Sequence, residues 1–169
     1  MFLTGQRDQS INEIDIDFMY KDDNQLVFYI PTVLKTTTPR HHLKPLTLLK
    51  YTEESLCVVT HIEKYLNITE NTRSTRKLII STVPPYGSVT TSTISRWVRE
   101  MLKDAGINTT TFTSHSTRAS STSTAKVRGL SVEEIRTAAG WTNGSTFAKY
   151  YDKAVINNFG SILLNNLEK

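Results

Sequence analysis

Two stretches near the start of the chain, Asp15 to Tyr20 and Gln25 to Ile30, are rich in Ile, Phe, Val and Tyr. Lys21-Asp22-Asp23-Asn24 separates them with turn-forming residues, which predicts a β-hairpin. A third apolar stretch near Leu46 to Leu49 can complete a small antiparallel sheet. Beyond it the pattern turns helical. Thr52 to Leu66 predicts one helix, Thr72 to Lys77 a polar linker, and Leu78 to Ile80 a short apolar run that Pro84-Pro85-Tyr86-Gly87 breaks. From Thr91, the residues Ile94, Trp97, Val98, Met101, Leu102 and Ala105 fall at helical spacing, and Gly106 stands at the expected C-terminal cap. Trp97 lies on that stripe and is read as core rather than as a ligand platform. Ser131-Val132-Glu133-Glu134 has the form of a capping box, in which two side chains satisfy free amides at the start of a helix running to about Ala139. A last helix, Val155 to Leu167, carries Ile156, Phe159, Leu163 and Leu167 on one stripe that packs on the domain or on a neighbour. The pattern predicts a mixed α+β, mainly helical domain, with a small antiparallel β-sheet packed on a helical bundle.

Bulk properties narrow the function. The 169 residues, 38% hydrophobic and 21% charged, suit one globular domain. Twenty Lys and Arg against 16 Asp and Glu give a formal charge of +4, which permits a polyanionic partner without demanding one. The single cysteine, Cys57, excludes an internal disulfide framework and a cysteine zinc cluster, and fits the cytosol or nucleus. No apolar run approaches the ~20 residues that span a bilayer, and the first residues lack the blocks of a signal peptide. The Asn-x-Ser/Thr triplets at Asn67, Asn108 and Asn143 are then read as chance matches.

Candidate chemistry sits in three places. Thr32 to Pro45 gathers Lys35, Arg40, His41, His42 and Lys44 on one connection, either a phosphate contact or a solvated basic loop. His115-Ser116-Thr117-Arg118 places an imidazole and a guanidinium three residues apart at a predicted helix start, on one face, as a phosphate requires. An H-x-x-R taken alone is a weak signal that more often describes a capping histidine and a surface arginine. Residues further along the chain give it weight: Gly140-Trp141, with Trp141 23 residues after Arg118, and Tyr151 ten residues after Trp141.

In that combination the chain resembles the tyrosine recombinase, or phage integrase, family. Thr4-Gly5-Gln6-Arg7 is similar to the family's first arginine motif, and Lys35 falls between the second and third predicted strands, as the family lysine does. His115, Arg118, Trp141 and a tyrosine come after it in the family order. More narrowly, Leu3 to Arg7, Ser114 to Arg118, and Ala139-Gly140-Trp141 through Thr146-Phe147 to Tyr150-Tyr151 resemble recombinase domains of animal mobile elements, including DIRS-like retrotransposons.

The resemblance implies a double-stranded DNA partner, no cofactor and no metal. Arg7 and Arg118 would neutralise the charge that builds on the non-bridging oxygens of a phosphodiester. Tyr151 would attack phosphorus, leaving a 3′-phosphotyrosyl enzyme whose stored bond energy a later 5′-hydroxyl uses to reverse the step. Lys35 would protonate the departing 5′-oxygen. His115 would bond a phosphate oxygen or assist the tyrosine proton, and Trp141 would pack and direct its indole N–H towards the phosphate. Tyr150 is the alternate nucleophile. The nine-residue spacing from Trp141 found in many bacterial and phage members selects it, whereas the Thr-Phe-x-x-aromatic-Tyr pattern of animal elements selects Tyr151. The family implies several protomers, often joined through the C-terminal helix, here Val155 to Leu167.

Two departures bear on activity. Many relatives place a carboxylate three residues after the first arginine; Ser10 stands there, with Asp8 and Glu13 as substitutes. The chain also starts close to Thr4-Gly5, so residues 1–169 are expected to form the catalytic domain without the helical N-terminal domain of relatives. Competing readings are a catalytically silent DNA-binding remnant, a type IB topoisomerase, and a metal hydrolase built on His41, His42, His61 and His115. The last lacks the spaced ligand pairs of zinc sites.

Overall fold

The computed structural model describes residues 3–34 and 42–141. Their elements run α1 (Asp8–Asn12), β1 (Met19–Lys21), β2 (Gln25–Phe28), β3 (Leu46–Leu49), α2 (Val58–Thr69), α3 (Thr91–Asp104), α4 (Ser114–Val127) and α5 (Val132–Ala138). The three strands form an antiparallel sheet in the order β1-β2-β3, with Tyr20 opposite Val27 and Val27 opposite Thr47. The anticipated class, helices with one small antiparallel sheet, is the observed one.

The hairpin forms where turn chemistry placed it, but its strands are shorter. Asp15 is the reason on the first side: its carboxylate accepts from the Asp17 amide at 2.9 Å and caps a 3-10 turn over Ile16–Phe18, so pairing starts only at Met19. Asp22 closes the turn by accepting from the amides of Asn24 at 2.8 Å and Gln25 at 3.0 Å.

The helix expected from Thr52 starts instead at Val58. Glu54–Leu56 form a separate 3-10 turn, and Cys57 is extended at φ −76°, ψ 102°. Burial explains the boundary. Thr52 to Leu56 are exposed, whereas Cys57 and Val59 enter the core and Ile62 and Leu66 pack against it. The third helix runs as its spacing predicts, and its C-cap amide region closes at Gly106. Its stripe is narrower than anticipated: Ile94 is buried, Trp97 is half-buried, and Met101 is 70% exposed. The Ser131 capping box forms as read, Ser131 Oγ accepting from the Glu134 amide while Glu134 accepts from the Ser131 amide at 2.8 Å. The short helix α1 has no distinct signal in the sequence.

Leu26, Phe28 and Leu46 from the sheet join Ile14, Cys57, Val59 and Leu78 in the main core. A second cluster, Ile135, Ala139 and Trp141 packed against Ala119 and Ala125, joins α4 to α5. Helix α1 packs on α3, and α3 on α4, so the segment holding Arg7 is carried against the helix holding His115 and Arg118. The expected helix from Val155 to Leu167 lies outside the described residues. No described helix is long and apolar enough to cross a membrane.

Candidate active site

The site is assembled from a strap, a helix start and a turn. The strap, Thr4 to Arg7, enters at Gly5, whose φ of +59° favours glycine, and a side chain there would press on Thr122 of α4 at 3.3 Å. Gln6 is fully buried, and its Nε2 donates to the Ala138 carbonyl at 2.6 Å. One amide thus ties the strap to the end of α5. Arg7 comes next at the N-cap of α1, half-buried, and its guanidinium makes no hydrogen bond or ion pair among the described residues.

The helix start belongs to α4. Thr113 and Ser116 form a reciprocal capping box, which fixes the first turn and with it His115 and Arg118. Arg118 is 1% exposed, its Nη2 donates to the Ala139 carbonyl at 2.9 Å, and its Cζ lies 4.6 Å from the centroid of the Trp141 ring. Carbonyl and ring offset part of the cost of burying the cation. His115 is turned to the exposed rim of the same turn. The imidazole nevertheless titrates below its ordinary value, first through desolvation by the surrounding protein and then through the positive charges of Arg118 and Arg7, with Asp8 opposing.

The turn carries Gly140-Trp141. The Trp141 amide donates to the Arg136 carbonyl at 2.9 Å, and Arg136 Nη1 donates to the Trp141 carbonyl at 3.1 Å. Trp141 is buried beneath Arg118. At Gly140, φ is +68° and an added Cβ would lie 2.6 Å from Leu43 Cδ1, so the end of the basic loop seats directly on this turn. Lys44 also approaches α5: Glu133 is held below its ordinary pKa chiefly by the hydrogen bond from Arg136, with a smaller contribution from the Lys44 charge.

Arg7, His115, Arg118 and Trp141 thus form one neighbourhood. Lys35, Tyr150 and Tyr151 lie outside the described residues, as do Arg40 and His41; Leu34, next to Lys35, is buried, and His42 is exposed. Of the two substitute carboxylates, Glu13 is engaged by Lys77 at 2.7 Å, on the side of the linker, whereas Asp8 faces α3 and α4. Gln6 and Arg136 were missed from sequence. Gln6 sat within the quoted arginine motif without a role, and Arg136 has no local signal. Among the described residues no three His, Cys, Asp or Glu side chains are grouped to hold a metal ion.

This architecture is that of tyrosine recombinase catalytic domains. It matches the XerA recombinase with a TM-score of 0.69 and 17% identity, over 99% of this chain and 53% of that one. A XerH site-specific recombinase bound to its difH substrate in a pre-cleavage complex matches with a TM-score of 0.67 and 12% identity, over 99% and 44%. A lambda integrase dimer bound to a COC′ core site matches with a TM-score of 0.57 and 18% identity, over 90% and 39%. The chain spans about half or less of the length of these proteins. The family model for the phage integrase family matches residues 1–155, and the chain belongs to that family. No curated protein sequence matches it.

Proposed function

We propose that this chain cleaves and rejoins double-stranded DNA through a 3′-phosphotyrosyl intermediate on Tyr151, with residues 1–169 as one catalytic domain. The observation that carries the reading is the joint placement of two guanidiniums and an imidazole: Arg7, free of internal partners among the described residues, beside Arg118 and His115. A phosphodiester repels nucleophiles, and its transition state concentrates charge on the non-bridging oxygens. Arg118, held by the Ala139 carbonyl and the Trp141 ring, supplies a fixed donor, and Arg7 supplies a second that is open to the incoming phosphate.

The Tyr151 oxygen attacks phosphorus as the bond to the 5′-oxygen breaks. Lys35 gives its proton to that oxygen, and His115, whose pKa is lowered by its surroundings, can take up the tyrosine proton or bond a phosphate oxygen. Attack by another 5′-hydroxyl reverses the step and rejoins the strands. Trp141 serves as the packing floor for Arg118 and directs its indole edge to the phosphate.

DNA as partner is supported by the DNA-bound recombinases among the similar structures. Assembly with further protomers through Val155 to Leu167 is the corresponding proposal for this chain. The motifs around Arg7, Arg118 and Tyr151 support origin in an animal mobile element of DIRS-like type, acting in the nucleus or cytosol. Nicked or 5′-bridging phosphorothiolate DNA, which traps the covalent adduct, tests the reaction with the native chain, Tyr151→Phe and Tyr150→Phe. An adduct lost only in Tyr151→Phe supports the reaction and the nucleophile. Loss only in Tyr150→Phe moves the nucleophile by one residue, and DNA binding without any adduct favours a silent DNA-binding module.

A further inference from the structure

The turn that ends α5 satisfies some of the helix's last carbonyls and leaves others open. Gly140 takes the left-handed conformation after Ala139, so the Trp141 amide donates back to the Arg136 carbonyl at 2.9 Å and the Gly140 amide to the Thr137 carbonyl at 3.2 Å. The carbonyls of Ala138 and Ala139 are left without a backbone donor among the described residues. Side chains from far along the chain take both: Gln6 Nε2 donates to Ala138 at 2.6 Å, and Arg118 Nη2 to Ala139 at 2.9 Å. Gln6 comes directly before Arg7. Two neighbouring carbonyls therefore hold the strap of one guanidinium and the other guanidinium itself.

We propose that Gln6 is a positioning residue of this site: its side-chain amide, bonded to the carbonyl next to the one that holds Arg118, sets the spacing between the Arg7 and Arg118 guanidiniums. The inference rests on reading this cluster as the phosphate site.

The surroundings support a use for the amide beyond filling space. Gln6 is 1% exposed, and a buried amide is costly unless it is bonded, so an apolar side chain of similar volume is the simpler way to fill the position. What an apolar side chain cannot supply is direction. The strap is already packed along the same segments: a Cβ on Gly5 would meet Thr122 of α4 at 3.3 Å and Ala139 at 3.6 Å, and one on Gly140 would lie 4.0 Å from the Gln6 amide. Apolar contact of this kind is non-directional and sets how near the strap comes, whereas a hydrogen bond to one carbonyl sets its register along α5. Arg7, half-buried and without a hydrogen bond or ion pair among the described residues, depends on that backbone for its place.

Nicked suicide DNA carrying either an ordinary phosphodiester or an uncharged methylphosphonate at the scissile position separates positioning from packing. The methylphosphonate removes one negative charge from the transition state, so the spacing of two guanidiniums matters less to it. Gln6→Met keeps the volume and loses the donor. On the phosphodiester it should form adduct roughly tenfold more slowly than the native chain at saturating DNA, with half-saturation unchanged, and on the methylphosphonate the deficit should shrink to about twofold or less. Gln9→Met, at an exposed position of α1, should match the native chain on both substrates. Should Gln6→Met not fold, Gln6→Asn, whose amide stops one methylene short of the carbonyl, carries the same expectation. In the free native chain, the side-chain amide protons of Gln6 should exchange with water far more slowly than those of Gln9. An equal deficit on the two substrates, no deficit on either, or a Gln6 amide that exchanges as fast as that of Gln9 would each overturn the proposal while leaving the recombinase reading in place. A native chain that traps no adduct on either substrate would sink that reading, and the positioning role with it.

Discussion

Arg118 lies over the indole of Trp141, its Cζ 4.6 Å from the ring centroid, and the same guanidinium donates to the carbonyl of Ala139, two residues before that tryptophan. The turn that closes α5 therefore holds the helix-borne arginine from two directions. Arg136 in turn holds the Trp141 carbonyl, so the floor beneath Arg118 is itself fixed.

Trp141→Ala should then act on the fold as well as on the site. Trp141 is 2% exposed, and emptying a buried tryptophan costs about 3–5 kcal/mol through lost burial and the cavity left behind. Trp141→Phe keeps a ring under Arg118 and should lose less. Urea unfolding of the two variants measures the difference, and equal midpoints for Trp141→Ala and the native chain would contradict the packing role.

Gly140→Ala should be destabilising for two separable reasons. The residue sits at φ +68°, which alone costs an alanine about 1–2 kcal/mol, and its Cβ would fall 2.6 Å from Leu43 Cδ1. Shortening Leu43 in a Gly140→Ala/Leu43→Ala pair removes the collision and leaves the backbone cost. A double-mutant cycle from denaturant melts should therefore show favourable coupling between the two substitutions. Strict additivity would mean that Leu43 does not seat on the turn in solution.

The elements that sequence revealed best are those whose cause is local. The Ser131 capping box and the Leu46 to Leu49 strand formed where they were read, because reciprocal side-chain bonds and a short apolar run specify themselves. The start of α2 was misplaced because Thr52 to Leu56 are compatible with a helix, and only the burial of Cys57 and Val59 decides where it begins. The same division holds at the site. His115 and Arg118 were visible through their spacing, and Arg7 through its motif. The bond from Gln6 to the Ala138 carbonyl joins residues 132 positions apart, which no local pattern encodes. The choice between Asp8 and Glu13 likewise depended on Lys77, Ser95 and Ser114, three residues from distant parts of the chain.

Stability should depend on pH through His115. Its folded-state pKa lies below the ordinary 6.5, first because of burial and then because of Arg118 and Arg7. In that range the folded chain binds fewer protons than the unfolded one, so stability rises with pH. The contribution is complete above pH 6.5 and is lost as pH falls from there through the folded value. His115→Gln should flatten this part of the curve of unfolding free energy against pH. A slope that the substitution leaves intact would assign it to other groups.

Arg7 and Arg118 should separate when stability and chemistry are read together. The Arg118 guanidinium is buried and structurally engaged, so Arg118→Ala empties a filled space, strands the Ala139 carbonyl and uncovers Trp141. A loss of about 2–4 kcal/mol in unfolding free energy is expected from such a combination. Arg7 is half-buried but has no hydrogen bond or ion pair among the described residues, so Arg7→Ala should cost clearly less stability than Arg118→Ala, about 1 kcal/mol or less. On the adduct-trapping substrate both should fall by about a hundredfold or more, because each removes a charged donor from the transition state. The salt dependence of DNA binding should also weaken in Arg7→Ala, its log–log slope shrinking by about one for the lost phosphate contact. An Arg7→Ala chain that is as stable as the native one and equally active would remove Arg7 from the site. An Arg7→Ala chain that unfolds would mean that its guanidinium has a structural partner beyond the described residues.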